Sequence, residues 1–250
     1  MSRAASPASA IAAMTAIELR LVLRRPENLF ATIVVPTLVL VLFSSVAVVD
    51  VPGGRPVDFL LPGSIALAII ATSLVSLGIT TAYDRSYGVL KRLGGSPLSR
   101  PELIVARILT VLVVEVVQVG LLVGTALLLL GWSPPSGLSP QLLASSLVLG
   151  TIAFAGLGLL LAGTLRAETM LAVANLLFLA FLAVGGIVVP VDRLPAPVAA
   201  IAHALPAAAL SDVLRTALGS AGGDATAALA LLAVWGTVTV GLAAATFSWE

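Results

Sequence analysis

Glu115 interrupts a long apolar run, with Gln118 following one helical turn later. A carboxylate at hydrocarbon depth is costly, so proton transfer or ion passage is the chemistry its type and place suggest. A boundary position, protonation, or a hydrogen bond to a neighbouring helix would instead make it structural. A second set of polar groups lies in the stretch TAYDRSYGVLKRLGGSPLSRPELIVARIL. Charges gather there at Asp84, Arg85, Lys91 and Arg92, while Tyr87, Leu90, Leu93 and Leu98 supply an apolar side. The spacing predicts a short amphipathic helix over 83–93, stopped by Gly94 and Gly95 and turned at Pro97. An apolar stripe on a helix that faces water reads as a docking surface; an ordinary basic loop is the alternative. Further on, Asn175 and Phe178 share one helical face, continued by Phe181 or Leu182.

Catalytic signatures are missing from the sequence. There is no H-E-x-x-H, no G-x-S-x-G and no carboxylate pair inside one apolar run. The chain has no cysteine, which excludes thiolate chemistry and cysteine metal sites. Its single histidine, His203, is read as a polar tip without a ligand role. No G-x-x-x-x-G-K-[ST] loop is present, so any ATP and Mg2+ used must be held by a partner chain. We therefore expect no cofactor on this chain and no enzyme activity of its own.

The elements that would position these residues follow from composition. Hydrophobic residues make up 59% of the chain and charged residues 10%, with a mean hydropathy of +1.14. A soluble domain usually carries about 25% charge, so the excess apolar surface must face lipid. A net charge of +1 without a massed basic patch gives no reason to expect a nucleic-acid partner. A helix rising about 1.5 Å per residue needs roughly 20 apolar residues to cross a bilayer. Six runs qualify, at 29–49, 59–82, 104–130, 142–165, 169–189 and 225–247. Bare backbone is not tolerated in lipid, so the runs must be helices, and the fold class is all-α. Small residues near Ala47 could mimic a secretory cleavage site, but signal cores are about 7–15 residues long, so a retained span is expected. In the third run, Gly120 and Gly124 form a small-x-x-x-small pair that predicts close helix packing.

Lysine and arginine set the orientation. With the N-terminus inside, the inner side carries Arg3, Arg20, Arg24, Arg25, Arg85, Lys91, Arg92, Arg100, Arg107 and Arg166, and the outer side Arg55, Arg193 and Arg215. Both termini are expected in the cytoplasm. Twelve arginines against one lysine, with abundant alanine, read as a bacterial gene of high G+C content, hence a bacterial cell membrane. Two segments fall outside a simple row of spans. Residues 8–25 are too polar to cross; their helical spacing, with Glu18, Arg20, Arg24 and Arg25, predicts an amphipathic helix on the inner interface, a frayed tail being the alternative. Residues 190–224 are too long for a plain connection, and Pro206 breaks their apolar stretch, which predicts a re-entrant helical pair. No separate soluble domain is expected.

Three pieces carry a family resemblance: ELRLVLRRPENLFATIVVPTLVLVLF, the loop YDRSYGVLKRLGGSPLSRPELIVARIL, and LPAAALSDVLRTAL. In order and spacing the chain resembles ABC type-2 transporter permeases, the membrane subunits of bacterial ATP-binding-cassette exporters, particularly the multidrug and antibiotic-resistance branch. The resemblance implies that 8–25 is a connecting helix, and that 83–93 is a coupling helix seated on the ATPase. Tyr83, Asp84, Arg85, Tyr87, Gly88, Leu90, Lys91, Arg92, Leu93, Pro97 and Leu98 would then be the coupling residues. It implies a substrate path walled in part by the fifth span, making Asn175, Phe178 and Phe181 path candidates. It also implies two ATPase subunits, a second permease identical or related to this one, and a hydrophobic or amphipathic cargo. Ser86 stands where the family often has an acidic residue. A proton-coupled transporter using Glu115 and a non-transporting assembly subunit are the other two readings.

Overall fold

The computed structural model describes residues 6–24, 26–46, 55–95, 99–220 and 223–246, and every regular element among them is helical. In chain order these are α1 (Pro7–Leu23), α2 (Pro26–Ser45), α3 (Pro56–Ser86), α4 (Val89–Gly94), α5 (Arg100–Leu129), α6 (Pro140–Thr164), α7 (Ala167–Val184), α8 (Ala196–Ala204), α9 (Pro206–Ala217) and α10 (Ala225–Thr246). Five of them, α3, α5, α6, α7 and α10, are long and apolar enough to cross a membrane. The 20 residues of α2 run antiparallel to α3 as a sixth member, although its described apolar stretch, Thr32–Ser45, is shorter. Of the residues singled out above, Arg3, Arg25, Ala47, Pro97 and Leu98 lie outside the described set.

Proline opens several helices at the one position where its missing N–H costs nothing. Pro7, Pro56, Pro140 and Pro206 all occupy a first turn. At α5 the Ser99 amide donates to Glu102 Oε2 at 2.7 Å, closing a capping box. These starts lengthen two spans beyond their apolar runs. The second begins at Pro56 and continues to Ser86, not 59–82, and the third begins at Arg100, not 104. The region expected as a basic loop, 83–103, is thereby largely absorbed into helix ends. Nor is 83–93 one helix: Tyr83–Ser86 complete α3, Gly88 turns the chain with φ +71°, and α4 starts afresh at Val89. Only glycine adopts that left-handed conformation without a steric cost.

At the centre lies α3, enclosed on all sides, with Leu60, Leu61, Ile65, Leu67, Ile69, Ile70 and Leu74 fully buried. Between Ile70 and Ser76 it widens into a π-helical stretch. Glycine on α6 accommodates the swollen backbone. A Cβ on Gly158 would lie 2.9 Å from Leu74 O and 3.0 Å from Ser73 O. Other glycines bring α6 against α10, where Gly156 meets Thr239 and Val240 and Gly236 meets Ile152. Gly120 and Gly124 of α5, expected to make such a contact, have nothing within 4 Å of where a Cβ would sit, so their face is unpacked within this chain. Exposed apolar side chains such as Val116, Val117 and Leu128 on α5, Leu176 and Leu179 on α7, and Val234 and Val238 on α10 form the outer surface of the bundle. That surface is compatible with lipid and not with water.

The helices α8 and α9 meet at a 79° bend. Pro206 lacks an N–H and holds Leu205 extended at ψ 144°. Trp235 Nε1 donates to Ala204 O at 3.0 Å, satisfying a carbonyl left open by the break. The pair finishes at the end of the bundle opposite α1. Its last carbonyls reach the 131–139 connection there, Ser139 N donating to Ala217 O at 2.8 Å.

Candidate functional site

The end of the bundle that carries α1 also carries Arg20, Arg24, Arg85, Lys91, Arg92, Arg100, Arg107 and Arg166, while Arg55, Arg193 and Arg215 lie at the other. At this basic end, residues that stand far apart in the sequence come together. Arg107, in the second turn of α5, is 2% exposed. Its Nη2 bonds Asp84 Oδ2 of α3 at 2.5 Å, its Nη1 donates to Thr81 Oγ1, and Glu18 Oε1 of α1 lies 3.3 Å from Nε, off the N–H direction. One guanidinium thus ties three helices. By sequence Asp84 is a coupling residue, Glu18 part of the connecting helix, and Arg107 one more basic charge. Nothing local marks Arg107 as the hub, since it stands 23 residues from Asp84 and 89 residues from Glu18.

The other expected coupling residues divide into two groups. Arg85 turns inward, and its two terminal nitrogens donate to Gly163 O and Leu165 O at the end of α6. It therefore satisfies carbonyls that a helix C-terminus leaves open. Leu90 is completely buried against Met14, Leu103 and Ala106, with Leu93 packed alongside. The apolar side expected to face a partner is thus largely spent on fastening α4 to α1 and α5. What α4 and its preceding turn present outward is Tyr87, 73% exposed and stacked on Tyr83 at 5.9 Å, with Lys91 and Arg92. Arg20 and Arg24 are exposed on α1.

Deeper in the bundle, Glu115 is buried, and Thr151 Oγ1 of α6 donates to its Oε2. Its Oε1 has no hydrogen-bond partner among the described residues. One turn on, Gln118 Oε1 accepts from Thr72 Oγ1 of the π stretch at 3.0 Å, and its Nε2 donates to Thr32 O of α2 at 3.3 Å. A band of polar bonds therefore joins α2, α3, α5 and α6 around the widened turn, where such distortions often accompany function.

Beside that turn runs a groove between α2, α3 and α7, lined by Val35, Val75, Ile79, Leu171, Asn175 and Phe178. Asn175 is exposed and donates to Leu171 O at 2.7 Å. Phe181 does not continue the groove; it is 5% exposed and meets Phe154 edge-on at 5.6 Å in the core. Three residues on from Phe178, helical rotation has carried it inward.

A further ionic site is one that the sequence reading missed. Arg215 of α9 is 5% exposed, bonds Asp212 Oδ1 at 3.1 Å, donates to Gly186 O and lies 4.2 Å over the Phe59 ring. Opposite charges three residues apart in an apolar segment are the signal that could have found it.

A family model described as ABC-2 type transporter matches residues 9–218, most of the chain. No curated protein matches it.

Proposed function

Because the chain belongs to the ABC-2 type transporter family, we propose that this multi-pass ABC transporter permease works as an exporter, moving a hydrophobic or amphipathic molecule out of the cell. In this reading two permeases, identical or related, pair with two ATPase subunits that bind ATP and Mg2+. The basic end faces the cytoplasm of a bacterium, in keeping with the positive-inside rule. The observation that carries the reading is the construction of α4. It is fixed to α1 and α5 through Leu90, joined to α3 by a two-residue turn, and displays Tyr87, Lys91 and Arg92.

A push on such an element is passed on rather than absorbed. Movement of α4 reaches α1 and α5 through Met14, Leu90 and Leu103, and reaches α3 through the turn and the Asp84–Arg107 bond. The π stretch of α3 borders the groove of Asn175 and Phe178, so a shift of α3 alters a wall that the cargo would contact. Nucleotide drives this cycle only by favouring one arrangement over the other, and cargo must bind the inward-open form better. Tyr87→Ala, Lys91→Glu and Arg92→Glu should each reduce stimulation of the cognate ATPase while leaving unfolding of the isolated chain unchanged; full stimulation in all three would defeat the docking assignment.

The buried, half-partnered Glu115 favours one rival, proton-coupled transport. Glu115→Gln decides between them: transport lost with ATPase stimulation intact points to the proton gradient.

A further inference from the structure

A cavity of about 310 Å3 lies between α1, α2, α3, α4 and α5, at the small end of the range for small-molecule sites. It is distinct from the groove beside α7, although Thr32, Ser76 and Thr80 line both. Its body is apolar, formed by Met14, Ile17, Leu21, Leu77, Val111 and Val114. Ile17 and Leu21, 50% and 44% exposed, are apolar side chains of α1 turned to this space instead of being packed. Hydroxyls from Thr72, Thr80 and Thr110 are spaced along the wall.

One end is charged. Glu18, Asp84 and Arg107 are the only ionisable residues that line the cavity among the described residues. Arg107 is sealed at 2% exposure, whereas Glu18 and Asp84 retain 14% and 19%. The guanidinium is already committed to Thr81, Asp84 and Glu18, and each carboxylate meets it through one oxygen, Glu18 Oε1 and Asp84 Oδ2. Two negative charges against one enclosed positive charge leave the accessible end negative. An anion would meet carboxylates first, while a cation completes the set.

We propose that this cavity binds an amphipathic organic cation, its apolar body against α1 and α5 and its positive group between Glu18 and Asp84. The shared wall with the α7 groove makes the cavity an entry station for cargo. That last step rests on the exporter reading; binding itself does not.

The test uses the purified full-length chain in dodecyl maltoside, without ATPase, titrated with three fluorescent probes: cationic ethidium, neutral N-phenyl-1-naphthylamine and anionic anilinonaphthalene sulfonate. Ethidium should bind saturably and the sulfonate much more weakly. Glu18→Gln and Asp84→Asn should each weaken ethidium about tenfold or more and leave the neutral probe unchanged. Val22→Trp, which fills the cavity from α1 while keeping all three charges, should block ethidium while circular dichroism shows a native melt. It keeps the test sound should either carboxylate variant fail to fold. Equal binding of cation and anion to the wild-type chain, or undiminished ethidium binding in folded Val22→Trp, overturns the proposal. Undiminished ethidium binding in both folded carboxylate variants overturns it as well. Competition with lysophosphatidylethanolamine against lysophosphatidylglycerol separates the sources: displacement by the first alone assigns the site to a lipid ammonium headgroup, and displacement by neither assigns it to a free amphipathic cation. A chain that stimulates its ATPase yet ignores ethidium loses the site and keeps the exporter. A chain that binds ethidium yet recruits no ATPase does the reverse.

Discussion

Replacing Arg107 with methionine removes the one charge that holds α1, α3 and α5 together at the basic end. The substitution preserves much of the apolar stem, so the effect isolates the guanidinium. Thr81 and Asp84 each lose a hydrogen bond, and Glu18 loses its counter-charge, all at once. Two carboxylates of like charge are then left in a partly dehydrated space. Removing one member of a fully buried ion pair costs about 3–5 kcal/mol. Glu18 and Asp84 keep 14% and 19% exposure, so some hydration returns and the lower end applies, about 3 kcal/mol. The triple variant Arg107→Met, Glu18→Gln, Asp84→Asn removes the unpaired charge along with its cause. It should recover to within about 1 kcal/mol of the wild type, since well-fitted neutral replacements of buried ion sets are often neutral or better. The assay is reversible unfolding in mixed micelles of rising dodecyl sulfate fraction, followed by circular dichroism. A loss below about 1 kcal/mol for Arg107→Met would refute the hub assignment. So would a triple variant as unstable as the single one.

Leu90→Ala should cost about 2–5 kcal/mol, because the side chain is fully enclosed between α4, α1 and α5; the same unfolding assay measures it. Gly158→Ala should cost about 1–3 kcal/mol, since its Cβ meets two carbonyl oxygens of the π stretch. In contrast, Gly120→Ala should be neutral or stabilising by up to about 1 kcal/mol, with open space at its Cβ. Equal losses at both glycines would contradict the packing described. Arg85→Leu should destabilise the isolated chain by about 1–3 kcal/mol through the two carbonyls it abandons, measured without any ATPase present. An Arg85 variant is therefore a poor probe of docking, unlike Tyr87.

The amino-acid sequence determined the parts of this protein that depend on solvent and on short-range pattern. A charge content of 10% and six apolar runs dictate a helical membrane bundle, because hydrocarbon tolerates neither bare backbone nor scattered charge. The break at Pro206 dictates the bend between α8 and α9, and Glu115 turns into the bundle because a carboxylate within a span is too costly against lipid. Span ends were less legible, since the capping boxes of Arg55 with Asp58 and Ser99 with Glu102 set the helix starts through polar bonds that hydropathy does not register.

Only the tertiary structure decided which charges meet and which faces close. Arg107 joins Glu18 and Asp84, Arg85 folds inward onto Gly163 and Leu165, and Phe181 enters the core while Phe178 stays in the groove. In lipid the inner and outer surfaces of a bundle are equally apolar, so hydrophobicity fixes that a helix spans but not how it is turned. That rotation is chosen by a few long-range polar bonds and close glycine contacts, whose partners lie tens of residues away.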